Sequence, residues 1–246
     1  MSVFIALAIT YFISMFIYPW IDTSFDWVRV QQIWSHWQTL NAGILALVAS
    51  IIALTTTSYQ NEKQRERDLI AEKIFLTESL NELTDYYKSS ANILLRYFPD
   101  YSPIPSFSID EIDSIPATPL KYRDSFARCI KLSPPTTAKA LSFIILWIPI
   151  HECRLDGQLK KYTPGNLSSI EEINIINTLY NLGILMSITN KLYGFCRSNN
   201  ESILPEISAE DIHQAFYVLS IDVDNINELN KYIQHKLPTF DYNLRK

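Results

Sequence analysis

Two stretches near the N-terminus differ in texture from everything after them. From Met1 to Ile21 there is no Asp, Glu, Lys, Arg or His, and from Val30 to Asn61 there is only His36. Each is long enough to cross a bilayer core, which takes about 20 mostly apolar residues in a helix. The pattern predicts one span over Val3–Ile17, extending to Trp20, and a second over Leu40–Thr57. Pro19 falls near the end of the first, where a missing backbone hydrogen bond costs little. Met1-Ser-Val-Phe has no basic residue and no small-x-small site follows Trp20, so the first stretch reads as a retained anchor and not as a cleaved signal.

Past the second span the pattern turns polar. No proline lies between Pro19 and Pro99 and the only glycine there is Gly43, which permits a single helix from about Thr23 to Phe98. Residues 60–73 are almost wholly polar, with alternating charges that support a solvated helical neck. Beyond it Leu69, Leu76, Leu80, Leu83, Tyr87 and Leu94 form a heptad-like seam, interrupted by Lys73 and Ser90. Two readings stay open for the seam: the core-facing stripe of a helix, or a short dimerising coiled coil. Asp100–Lys121, with Pro103, Pro105, Pro116 and Pro119, reads as a linker or surface loop.

Helical periodicity then resumes. Tyr122–Leu132 is short and amphipathic, and Pro134-Pro135 open a helix in which Pro149 predicts a kink or stop. The apolar run Ala140–Ile150 is too short to span and reads as a buried core helix. Ser168-Ser-Ile-Glu171, Ser208-Ala-Glu-Asp211 and Asn225-Ile-Asn-Glu228 each have capping-box spacing before an apolar stripe. Ser169–Arg197 carries no charge between Glu172 and Lys191, which leaves a third membrane passage open. Its stripe of Asn174, Asn177 and Asn181 favours the central helix of a soluble bundle, since intramembrane amides are costly unless paired.

The expected fold is therefore all-α: a two-helix transmembrane hairpin over 1–59, a helical stalk over 60–98 and a cytoplasmic helical bundle over 99–246. Sidedness follows from charge. The segment between the spans carries Asp22, Asp26 and Arg29, whereas Lys63, Arg65, Arg67 and Lys73 follow the second span. The positive-inside rule then puts both termini in the cytoplasm. Four of the five tryptophans, Trp20, Trp27, Trp34 and Trp37, lie in or beside the short outer segment. They suit the membrane interface, where an indole buries its ring and keeps its N–H wet. Trp27, Val30, Trp34 and Trp37 also fall on one helical stripe, so residues 24–37 form either an amphipathic interfacial helix or an aromatic belt on the second span. Ala42, Ala46, Ala49, Ser50 and Ala53 recur at three- and four-residue steps, a spacing that lets helices approach closely in lipid. That face suits either the first span or a second copy.

Composition narrows the function classes more than it names one. The net charge of -5 argues against a nucleic-acid surface. Five glycines in 246 residues disfavour all-β folds and phosphate-binding loops. Cys129, Cys153 and Cys196, odd in number and widely spaced, suit reduced thiols in a cytosolic compartment. His151-Glu152-Cys153 is the densest group of metal-ligand types, but it lacks a second histidine four residues on, and no C-x-x-C pair supports a zinc site. His151 and Cys153, two apart, point to different faces of a helix, which is awkward for a nucleophile and its base. Buried thiols and a helix-end histidine are the simpler expectation. Asp222-Val-Asp224-Asn225 starts like a calcium loop and fails at Ile226 and at the required glycine. No catalytic, cofactor-binding or metal-binding residue is assigned.

The stretch Trp34-Ser-His-Trp-Gln-Thr-Leu-Asn-Ala-Gly-Ile-Leu-Ala-Leu-Val-Ala, followed by a charged helix, resembles the N-terminal pattern of uncharacterised bacterial two-span membrane-anchored proteins. The resemblance covers residues 34–75, implies the bacterial inner membrane and implies nothing about activity. The leading expectation is a non-catalytic interaction, sensor or scaffold module, with the lipid bilayer and a protein or a second copy as partners. Two alternatives accompany it: a membrane-perturbing effector of a toxin or phage-defence system, and a membrane-tethered enzyme with an unrecognised cytoplasmic site.

Overall fold

The computed structural model describes residues 6, 9–96, 115–161, 172–197 and 206–239. Among them 89% are helical and no strand occurs, so the chain is all-α. It divides between Gln64 and Arg65 into two compact units.

In the first unit, the apolar segment is helical from Ile9 and widens into a π-helical turn at Ile13–Ile17. It continues as α1 (Tyr18–Asp22). The cause of the wide turn is Pro19, whose ring would clash with the carbonyl four residues back; one extra residue in the turn relieves the clash. Here Tyr18 N–H reaches the Ile13 carbonyl, five residues back. α1 ends in a Schellman turn. Phe25 N–H bonds the Trp20 carbonyl at 2.9 Å and Ser24 N–H bonds Ile21 at 3.2 Å, with Ser24 left-handed at φ 54°. The hydrophobic contact that accompanies such turns is the Trp20–Phe25 ring pair. Asp26 then caps α2 (Trp27–His36), its side chain accepting from Val28 N–H at 3.0 Å. α3 (Gln38–Arg96) begins immediately afterwards.

The single helix expected from Thr23 to Phe98 is therefore interrupted. Trp37 leaves the helical region at ψ 5°, and Ser24 and Phe25 are left-handed before it. Nothing local marks the break at Trp37, which is neither preceded nor followed by proline. It coincides with the change from residues held in an aromatic cluster to residues exposed all round. Residues 97 and 98 lie outside the described set.

The second unit consists of α3 from Arg65, then α4 (Tyr122–Leu132), α5 (Pro135–Lys161), α6 (Glu172–Arg197), α7 (Ala209–Val218) and α8 (Asn227–Lys236). α6 is central and packs against α5, α7 and α8, while α4 lies on α5. Every seam leucine of α3, with Tyr87, is buried in the chain's own core, so the core-facing reading holds and no coiled-coil seam is left exposed. Lys73 spreads over the Phe195 ring at 4.2 Å and Ser90 bonds back to the Tyr86 carbonyl, which explains both polar interruptions. Tyr193 O–H donates to Asn81 at 2.6 Å, Arg128 pairs with Glu72 at 2.9 Å, and Arg65 donates to the Leu132 carbonyl at the end of α4 at 2.7 Å.

α6 and α7 meet along one stripe spaced by four. Gly183 lies under the Phe216 ring, Ser187 Oγ lies within hydrogen-bond distance of the Asp211 carbonyl, and Lys191 pairs with the Asp211 carboxylate at 2.9 Å. Two of the three asparagines on the α6 stripe, Asn177 and Asn181, are bonded inside the unit, and Asn174 is exposed. Asn181 donates to Asn177, Tyr232 O–H donates to Asn177 Oδ1 at 3.2 Å, and Gln158 donates to the Asn174 carbonyl and to Thr178. Most of α6 from Ile175 to Phe195 is buried by protein.

Two further expectations are corrected. Pro149 does not stop its helix: α5 runs through it to Lys161, because buried residues on both sides, Ile148 and Leu155, hold the helix to its neighbours. The Ser208–Asp211 capping box forms, but the one expected at Asn225 does not. The Asn225 amide donates to Asp222, which caps the 3-10 turn Val223–Asn225, and Ile226 precedes α8 without a side-chain cap. The Ser168–Glu171 box and most of the 100–121 linker lie outside the described residues.

Candidate functional site

In the first unit the unusual feature is its surface. Phe12, Phe16, Leu45, Ile52, Leu54 and Tyr59 are among the large apolar side chains exposed between Ile9 and Tyr59. An 18-residue window of α3 has a mean hydropathy of 1.8, and none of it is buried. Contiguous exposed apolar surface on this scale marks a region that another phase or molecule covers.

Its polar groups are satisfied from within. Pro19 has no N–H to give the Met15 carbonyl at i−4. The Trp34 indole N–H donates to that carbonyl instead, at 2.9 Å. Tyr11 O–H donates to Asn41 Oδ1 at 2.6 Å, joining the first segment to α3. Trp20, Trp27 and Trp34 form a mutual cluster with ring centroids 5.6 to 6.4 Å apart. Trp37 stands outside it, edge-on to His36, because it lies past the end of α2. The stripe expected from Trp27 to Trp37 is thus cut short, and Trp20 takes the vacant place. Val30 is buried beneath the cluster.

The small-residue face is not used inside the described chain. Ala42, Ala46, Ala49, Ser50 and Ala53 are all exposed, and Ser50 Oγ bonds back to the Ala46 carbonyl.

In the second unit the residues with candidate chemistry are dispersed. His151 is not at a helix end but in the middle of α5, 2% exposed, with its ring edge-on to Tyr86 at 6.1 Å. Neither ring nitrogen has a hydrogen-bond partner among the described residues. Burial, reinforced by the nearby Arg154 guanidinium, lowers the imidazole pKa to about 4. Cys153, expected to be buried, is exposed on another face of α5, so the two form no nucleophile–base pair. Burial pushes the Cys129 thiol up to about 12 and raises that of the half-buried Cys196. Among the described residues no group of three or more His, Cys, Asp or Glu could hold a metal ion. Asp222 and Asp224 serve the 3-10 turn, Asp222 accepting from Asp224 N–H.

Two features escaped the sequence reading. The Trp34–Met15 bond joins residues 19 apart, and only the proline four residues after Met15 signals that this carbonyl needs a donor. The burial of His151 was signalled by Ile144, Ile148 and Leu155, which place it on an apolar stripe at three- and four-residue steps. No family model, curated protein or solved structure matches the chain.

Proposed function

We propose that residues 1 to about 60 anchor this chain in a membrane and that its C-terminal helical unit acts without catalysis, by binding a protein partner or a second copy. The observation that carries the reading is the wholly unburied apolar window of α3. A core helix of a water-soluble protein would hide such a window. The internal satisfaction of the Met15 carbonyl and the Asn41 amide oxygen supports the same reading, because hydrocarbon offers a backbone or amide group no alternative partner. In this reading the first apolar segment and α3 form a two-span hairpin. Trp20, Trp27, Trp34 and Trp37 sit at the outer interface, and both termini are cytoplasmic. The charge asymmetry and the resemblance of residues 34–75 point to a bacterial inner membrane.

The test is alkaline carbonate extraction of cells producing the full chain, with a C-terminal reporter for sidedness. Recovery in the membrane pellet with a cytoplasmic reporter is expected. Recovery in the supernatant refutes the anchor, and an external reporter refutes the orientation.

A second reading, a membrane-perturbing effector, draws support from the exposed Ala42–Ala53 face, open to a second copy in lipid. It predicts growth inhibition on overproduction that Ala46→Leu with Ser50→Leu abolishes. Undiminished inhibition, or none from the parent chain, refutes it.

A further inference from the structure

α5 passes Pro149 unbroken and two residues later puts a histidine into the core. The proline gives no N–H to the Ile145 carbonyl, so α5 lacks one backbone hydrogen bond beside the imidazole. A neutral imidazole packs there as a flat, nearly apolar ring. An imidazolium does not, since it presents two N–H donors and a charge, and a buried unpaired charge is costly. Among the described residues no carboxylate acts on the ring. From α3 the ring meets Tyr86, edge-on at 6.1 Å. From α4, Tyr122 acts on Tyr86, and so does Glu152 of α5. The one charge among the described residues that bears on the ring, Arg154, repels a second positive charge, and none from α6 does.

We infer that His151 and Pro149 form an acid-released hinge: a solvent proton taken up by the free imidazole nitrogen drives the ring towards water and bends the 150–161 end of α5 off α3 and α6 at Pro149. Besides His151 itself, that end is held by the fully buried Leu155, by Leu159 against the core, and by the Gln158 amide, which donates to the Asn174 carbonyl at 3.0 Å and to Thr178 at 2.8 Å. All are neutral contacts that reform when the proton leaves. The sign is fixed by the direction of the shift. Burial, then Arg154, holds the closed-state value near 4 against an ordinary 6.5. The closed form is therefore fully favoured above 6.5 and loses that bias as the pH falls from 6.5 towards 4. Between about pH 7 and about pH 5 the opening constant rises on the order of 20-fold. The inference rests on the C-terminal unit alone and holds whatever surrounds the N-terminal one.

The experiment is amide hydrogen exchange by mass spectrometry on the full chain in detergent micelles, corrected for the intrinsic pH dependence of exchange. In the parent protein, protection of 150–161 falls on the order of 20-fold from about pH 7 to about pH 5. Protection of α7 stays unchanged. In His151→Leu the 150–161 response is flat, and in Pro149→Ala it shrinks. An equal response in His151→Leu, or an equal loss across all helices, overturns the switch. An unaltered response in Pro149→Ala overturns the hinge. Should His151→Leu not fold, the imidazole titration of the parent protein by NMR decides. A midpoint well below 6.5 sustains the inference, and one at 6.5 overturns it.

Discussion

Gly183→Ala isolates the contact that seats α7 on α6. A Cβ at Gly183 would lie 2.7 Å from Phe216 Cζ and 2.9 Å from Cε2, inside van der Waals contact. In an exposed helix the same change stabilises by up to about 1 kcal/mol. Here the ring must move, and it has nowhere to go. Phe216 is fully buried, and its carbonyl accepts Ile221 N–H at 2.9 Å in the turn that ends α7. Overpacking a filled core costs about 1–3 kcal/mol, so after the propensity gain the net loss is about 0–2 kcal/mol. For a folding unit of this size that lowers the melting temperature by up to roughly 6 °C. The assay is thermal unfolding of the full chain in detergent, followed by far-ultraviolet circular dichroism. Phe216→Leu removes the far edge of the ring, so Gly183→Ala in that background should cost nothing or stabilise. The double-mutant cycle, in which the propensity gain cancels, then reads the overlap as a coupling of about 1–3 kcal/mol. An equal effect of Gly183→Ala in both backgrounds would refute the reasoning.

Other substitutions follow from single bonds. Trp34→Phe strands the Met15 carbonyl and should destabilise the N-terminal unit by about 1–3 kcal/mol in a melt in micelles, whereas Trp37→Phe, at a ring outside the cluster, should stay within about 0.5 kcal/mol. Asp211→Ala removes the α7 capping box and the Lys191 partner together, for an expected loss of about 1–2 kcal/mol by urea unfolding. Burial raises the Asp211 carboxyl, but the Ser208 N–H and hydroxyl and the Lys191 ammonium outweigh it and hold its pKa below the ordinary carboxylate value. The stabilisation is complete above that value and disappears as pH falls through the folded one, so the difference between parent and Asp211→Asn melts should narrow in acid. Arg128→Ala breaks an ion pair whose arginine is half exposed and screened by solvent, so its melt should stay close to the parent's.

What the sequence disclosed was set by local pattern. The seam Leu69–Leu94 announced a buried stripe and found one, and Ser208 with Asp211 announced a helix start. Elements decided by distant packing were silent. Pro149 looked like a kink or a stop because its backbone effect is local; the stop is absent because the neighbours that carry α5 through it are not local. The break at Trp37 carries no proline, and Asn225 has capping spacing but is claimed by Asp222. His151 was expected at a helix end, while the apolar residues on its own face place it inside the core in the middle of α5.

The thiols provide a ready-made reporter. Cys153 is open to solvent, Cys196 half covered and Cys129 sealed in the core, its thiol pushed to about 12 by burial. A maleimide dye should therefore mark the native chain at one position with no cysteine removed. Modification of Cys129 would then time each opening of the interior. One molecule thus carries both a fluorophore handle on α5 and an internal clock for its own unfolding.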